Sequence, residues 1–155
     1  MADEIKIVGL KRLTVKLARM GKDIGNARLM GQIGAFVNLG IKTRTARGEN
    51  MDGRTLLDYT PEYAKRRSKA GHPVNKVNLF FTGSMFSALT YDAEKYQVTS
   101  FFMNTVDKYG GRNPEKAFFN DELRPFFGLS DADIDEIESM VKAHLEKLLR
   151  GKGKK

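Results

Sequence analysis

Ser130-Asp131-Ala132-Asp133-Ile134-Asp135-Glu136-Ile137 opens the stretch whose reading decides the fold. Ser130 has the short hydroxyl side chain of a helix N-cap, and Asp133 three residues on supplies the carboxylate of a capping box. Ile134, Ile137, Val141, Leu145 and Leu148 then recur at spacings of three and four, the signature of one apolar helix face. Acids crowd the first turn, and Lys147 and Arg150 stand in the last, as the helix dipole prefers. Gly151 is expected to stop the helix. Just upstream, Arg124-Pro125-Phe126-Phe127-Gly128-Leu129 sets two aromatics beside a rigid proline. They read as the anchor of this helix on a core, with Arg124 free to pair with an acid.

Working back toward the N-terminus, Gln97 to Met103 carries Val98, Phe101, Phe102 and Met103 and suits a strand. Tyr91 to Tyr96 can pair with it as a hairpin. Asn78 to Phe81 is apolar and reads as a buried strand ended at Thr82-Gly83, where glycine allows a turn. Met85, Phe86 and Leu89 follow as a short helix or bent strand. Residues 10 to 39 read as one long helix with a kink near Asp23-Ile24-Gly25, from Leu10, Leu13, Leu17 and Met20 and then Leu29, Ile33, Phe36 and Val37. The expected class is therefore α+β: a long N-terminal helix, a small mostly antiparallel sheet from about 78 to 104, and the C-terminal helix packed on the sheet. Residues 1–150 form one domain, and 151–155 a flexible basic tail.

Between the long helix and the sheet, residues 42–77 form a basic connection punctuated by Gly48, Asp52-Gly53, Pro61, Gly71 and Pro73. Thr60 and Pro61 predict a short helix from Pro61 to Ser68. A connection of this length is unusual in a compact domain, and it is expected to order fully only against a partner. Arg44, Arg47, Arg54, Lys65, Arg66, Arg67 and Lys69, with Tyr59 and Tyr63, are its candidate interface residues. Replacing Lys65, Arg66 and Arg67 together by Ala is expected to leave the fold intact.

Across 155 residues, 27 Lys and Arg outnumber 19 Asp and Glu, giving a net charge of +8. The cations gather in 11–28, in 44–76 and at the C-terminus, and the acids between 121 and 138. Such asymmetry favours a polyanion or a complementary acidic protein surface, and equally describes a solvated basic face. With no Cys, disulfides and thiolate metal sites are excluded. The polar, acidic Met1-Ala2-Asp3-Glu4 does not resemble a secretory signal, and no apolar run reaches the roughly 18 residues of a membrane span. Synthesis and folding in a cytoplasm are expected.

Residue types for chemistry are sparse. His72 and His144 have no second histidine at metal-ligand spacing. The carboxylates from 131 to 138 are accounted for by the helix start, and no phosphate loop or nucleophile elbow occurs. No enzyme, cofactor or metal is expected. Lys65-Arg66-Arg67-Ser68-Lys69 between aromatics could contact phosphates and bases, which keeps a non-specific nucleic-acid-binding accessory protein as an alternative.

Three stretches together resemble the phage virion morphogenesis proteins, the tail-completion and neck family of long-tailed bacteriophages. They are Met51-Asp52-Gly53-Arg54-Thr55-Leu56 with Thr60-Pro61-Glu62-Tyr63-Ala64-Lys65-Arg66; Leu79-Phe80-Phe81-Thr82-Gly83-Ser84-Met85-Phe86-Ser87-Ala88-Leu89; and Arg124-Pro125-Phe126-Phe127-Gly128-Leu129-Ser130. The family's tryptophan is replaced by Leu56 or Leu57, and 112–123 is longer and more polar than the family pattern. The resemblance implies a structural virion protein at the head–tail joint or tail end, forming a ring on the order of six subunits. It implies the tail tube and neck or head-completion proteins as partners, with non-specific contact to passing DNA and no membrane. Asp52, Gly53, Thr82, Gly83, Arg124, Pro125, Phe126 and Gly128 would be its structural motif residues. An assembly factor absent from the finished particle is the remaining alternative.

Overall fold

A computed structural model describes residues 2–7, 12–17 and 26–152, the first strand by its backbone alone. Nine elements follow in chain order: β1 (Ala2–Ile7), β2 (Leu13–Leu17), α1 (Ala27–Ala46), α2 (Pro61–Lys69), α3 (Ser84–Ser87), β3 (Leu89–Ala93), β4 (Gln97–Phe102), α4 (Asn113–Leu123) and α5 (Asp131–Lys152). The class is α+β. The strands form one antiparallel sheet in the order β1-β2-β4-β3, so two hairpins meet where β2 pairs with β4.

Residues 13–17 are strand and not the start of a helix, which corrects the long element expected from residue 10. Leu13 and Val15 are buried with Thr14 between them half-exposed, a period of two. Leu13, Leu17 and Met20 also satisfy a helical spacing, and pairing with β4 decides between the periods. The kink expected at residues 23–25 lies outside the described residues. α1 itself starts later, capped by Asn26, whose Oδ1 accepts the backbone N–H of Arg28 at 2.8 Å and of Leu29 at 3.3 Å. It continues to Ala46, past the glycine at 40.

α1 lies across β3 and β4. Its buried face carries Leu29, Met30, Ile33, Val37 and Ile41 onto Val15, Leu89, Val98 and Phe102. The approach is close at Gly34, where a Cβ would come within 2.6 Å of Tyr91 and 2.7 Å of Val98. The C-terminal helix meets α1 and not the sheet, so the expected packing is corrected: α5 forms a further layer, joined through Ile137 and Val141. Its capping box is formed as predicted, with Ser130 N–H donating to Asp133 Oδ2 at 2.8 Å and Asp133 N–H to Ser130 Oγ at 3.1 Å. Helix continues through Gly151 to Lys152.

Residues 78–81, expected as a strand, are irregular, and the sheet takes its other two strands from the N-terminus. The expected turn at Gly83 is present, with φ of +80°. No helix among the described residues is long and apolar enough to cross a membrane.

Candidate functional site

The basic connection is folded onto the body, contrary to the expectation that it orders only against a partner. Leu56 and Val77 belong to the core, and between them α2 turns Arg67 inward until it is 0% exposed. The Arg67 guanidinium lies 4.5 Å from the Tyr59 ring centroid, 5.9 Å from Phe81 and 6.0 Å from Tyr63. Its Nε donates to the Pro73 carbonyl at 3.3 Å, and Nη2 to Asn78 Oδ1 at 3.1 Å and the Phe80 carbonyl at 2.9 Å. Arg67 therefore pins the chain on both sides of a long loop.

Tyr59 is the opposite half of this device. Its hydroxyl accepts the N–H of Asn78 at 3.3 Å and of Leu79 at 3.1 Å. A second guanidinium, that of Arg124, sits 5.3 Å from the same ring and donates to the carbonyls of Leu57 at 2.5 Å and Asp58 at 2.7 Å. Arg124 thus binds backbone carbonyls where an acid was expected. Leu79, held between these contacts, has a φ of +53°, a left-handed conformation that costs a side-chain-bearing residue about 1 kcal/mol.

The remaining predicted residues divide. Lys65, Arg66 and Lys69 are exposed on the outer face of α2, with Arg66 lying 5.6 Å over Phe81. Arg54 is exposed, and Arg47 pairs with Glu49 at 3.2 Å. Arg44 is no arm residue: it is buried on α1, donating to Asp133 Oδ2 at 2.8 Å and to the Gly128 carbonyl at 2.7 Å. Asp52 and Gly53 form an exposed turn tip, in which Asn50 Oδ1 accepts the N–H of Asp52 and Arg54. Thr82 Oγ1 accepts the Ser84 N–H at 3.2 Å. Phe126 is 0% exposed and stacks edge-on with Phe86, whereas Pro125 is exposed. Gly128 faces Met51 so closely that a side chain there would collide with the sulfur.

Sequence reasoning missed four polar anchors. Arg44 left a signal, since it interrupts the apolar stripe that runs through Val37 and Ile41. Asp121, which accepts the N–H of Phe126 and Phe127 at 2.9 and 2.8 Å, left none. Neither did Asn113, which donates to Ser84 Oγ and Thr105 Oγ1. The fourth is Asp107, which pairs with Lys116 and accepts from the N–H of Tyr109 and Gly111.

Beside the Tyr59 cage lies an open groove of about 600 Å³, walled by Thr60, Tyr63, Arg66, Lys116, Leu123 and Arg124 among others. Burial lowers the Lys116 pKa from its ordinary value. Arg66 and Arg124 make the groove cationic, Lys116 being paired with Asp107, which also lines it, and Tyr109 and Leu123 stand exposed at its edge. His72 stacks on Phe81 at 4.7 Å, while His144 lies in a separate cleft by the start of α1. Among the described residues no three His, Asp or Glu gather as metal ligands. No protein-family model, curated protein or solved structure matches this chain.

Proposed function

We propose that this chain is a structural component of a bacteriophage particle, completing the tail or sealing the neck as a homo-oligomeric ring. The observation that carries the reading is the convergence of the three family-like stretches. Met51 packs on Gly128, the carbonyls after Leu56 receive Arg124, and Phe86 stacks on Phe126. Segments far apart in sequence are thus held by one another, as parts of one rigid scaffold would be. The polar side chains at this junction are occupied in holding backbone carbonyls and amides, which suits a building part better than a reaction centre.

Support for self-association comes from the surface. Leu57, Tyr109, Phe119 and Leu123 are each more than 60% exposed and fall in the two segments joined by Arg124, or on α4 and the loop before it. Large apolar side chains exposed in this number favour a protein partner over water. An apolar edge beside a cationic groove suits contact with another subunit or with an acidic neighbour at the joint.

The test is quantitative mass spectrometry of purified particles from the virus or prophage that encodes the chain. A low fixed copy number, on the order of six for a closed ring, supports the reading. Absence from finished particles overturns it in favour of an assembly factor or a DNA-binding accessory protein. The DNA alternative draws on the exposed Lys65, Arg66 and Lys69 beside the aromatic groove, and would show affinity that falls steeply with salt.

A further inference from the structure

The outward faces of α2 and α5 carry charge patterns that match each other in register. On α2, Tyr63 and Arg67 point inward, and the opposite face presents Glu62, Lys65, Arg66 and Lys69, all exposed. On α5, Ile137 and Val141 point inward, and the opposite stripe presents Asp131, Asp135, Glu138 and Lys142, again exposed. Read from Glu62 to Lys69, the first face runs negative at 62, positive at the adjacent pair 65 and 66, and positive again at 69. Read backward from Lys142 to Asp135, the second runs positive, negative, negative. Both intervals span seven residues, about 10 Å of helix. Among the described residues no ion pair occupies any of these side chains.

We propose that α5 of a second copy of this chain docks antiparallel along α2, with Lys142 opposite Glu62, Glu138 opposite Lys65 and Arg66, and Asp135 opposite Lys69. The inference rests on the reading of the chain as a self-assembling part. The same α5 stripe continues to Leu149, which is 71% exposed and lies seven residues beyond Lys142. In the antiparallel register Leu149 passes the N-cap of α2 at Thr60 and arrives at the groove, where Thr60 and Leu123 are walls. The contact thus joins a charged zipper to one apolar plug. Exposed ion pairs add little affinity, but they choose partner and register; burial of Leu149 supplies the non-polar attraction. Because α2 and α5 are different surfaces of one chain, the contact is head-to-tail and each bound copy offers it again.

The test is the mass of the full-length chain in solution by light scattering, at low salt and at high salt. The variants are K65E/K69E, D135K/E138K, the chain carrying all four changes, and L149D. Multimers are expected for the wild type at low salt, shrinking as salt shortens the screening length from about 10 Å to about 3 Å. Each reversal alone should give monomers, and the four-fold chain should regain the multimer, a recovery that a misfolded protein could not produce. L149D should weaken assembly at every salt concentration. Three results overturn the docking: a wild type monomeric at its highest soluble concentration, assembly indifferent to both reversals, or reversals that fail to rescue each other. Counting copies in particles is independent of all three, so the virion reading stands or falls separately.

Discussion

The guanidinium of Arg67 lies 4.5 Å from the ring centroid of Tyr59, fully buried, with no carboxylate paired to it among the described residues. A buried cation without a counter-ion is costly unless other groups solvate it. Here three aromatic faces and three carbonyl-type oxygens take the place of water, and the delocalised, weakly hydrated guanidinium suits that setting better than an ammonium would. Tyr59 is fixed in return, and its hydroxyl holds the strained Leu79. The connection from α1 to β3 is thereby part of the body, although its composition resembles a solvated loop.

Arg67→Ala should cost about 3 kcal/mol, since it leaves the Pro73 and Phe80 carbonyls without this donor, removes one of the two hydrogen bonds to Asn78 Oδ1 and opens a cavity. Arg67→Lys should recover only part, because one ammonium cannot span those acceptors. Lys65→Ala and Lys69→Ala, at exposed positions, should stay within about 0.5 kcal/mol. Urea unfolding of the four variants checks this. The triple replacement of Lys65, Arg66 and Arg67 should therefore destabilise the protein, overturning the expectation that it spares the fold.

Gly34→Ala puts a methyl group 2.6 Å from the Tyr91 ring and 2.7 Å from Val98. Over-packing of this kind costs about 1–3 kcal/mol, partly offset by about 1 kcal/mol of helix propensity. Gly31→Ala, with its nearest contact at 4.0 Å, should be neutral or stabilising by up to about 1 kcal/mol. If thermal unfolding ranked the two the other way round, the close helix–sheet approach at Gly34 would be refuted.

Asp133 serves both the capping box and Arg44, so Asp133→Ala should cost about 3 kcal/mol by stranding a buried guanidinium. Ser130→Ala, which removes only the cap, should cost about 1 kcal/mol. A double-mutant cycle between Arg44 and Asp133 isolates the pair, and a coupling near zero would disprove it.

Lys116 releases its proton more readily in the folded chain because burial disfavours the ammonium. The folded state then binds fewer protons than the unfolded state between the lowered pKa and the ordinary 10.5. Stability contributed at this position must rise with pH across that interval. Below it, the penalty for the partly desolvated ammonium, which its pairing with Asp107 opposes, is present in full. Comparing unfolding of wild type and Lys116→Met over the alkaline range should show the difference moving toward the wild type as pH rises. A difference independent of pH would refute the shift.

By itself the sequence determined the elements whose signals are local. The capping box at Ser130 and Asp133, the α5 stripe through Ile137 and Val141, the start of α2 at Thr60-Pro61 and the β3–β4 hairpin region all follow from side chains within a few residues of one another. So does the turn at Gly83. Only the tertiary structure decided what depends on distant partners. Leu13 to Leu17 is a strand because β4 offers unpaired backbone groups alongside it, a fact no spacing within the segment contains. α5 lies on α1 because the sheet face is already covered by Leu29, Ile33 and Val37. Arg44, Arg67 and Arg124 look alike as charges in the sequence. They become buried anchors because the fold brings carbonyls of Gly128, Phe80 and Leu57 within hydrogen-bond reach, and an arginine's burial is set by the acceptors it finds.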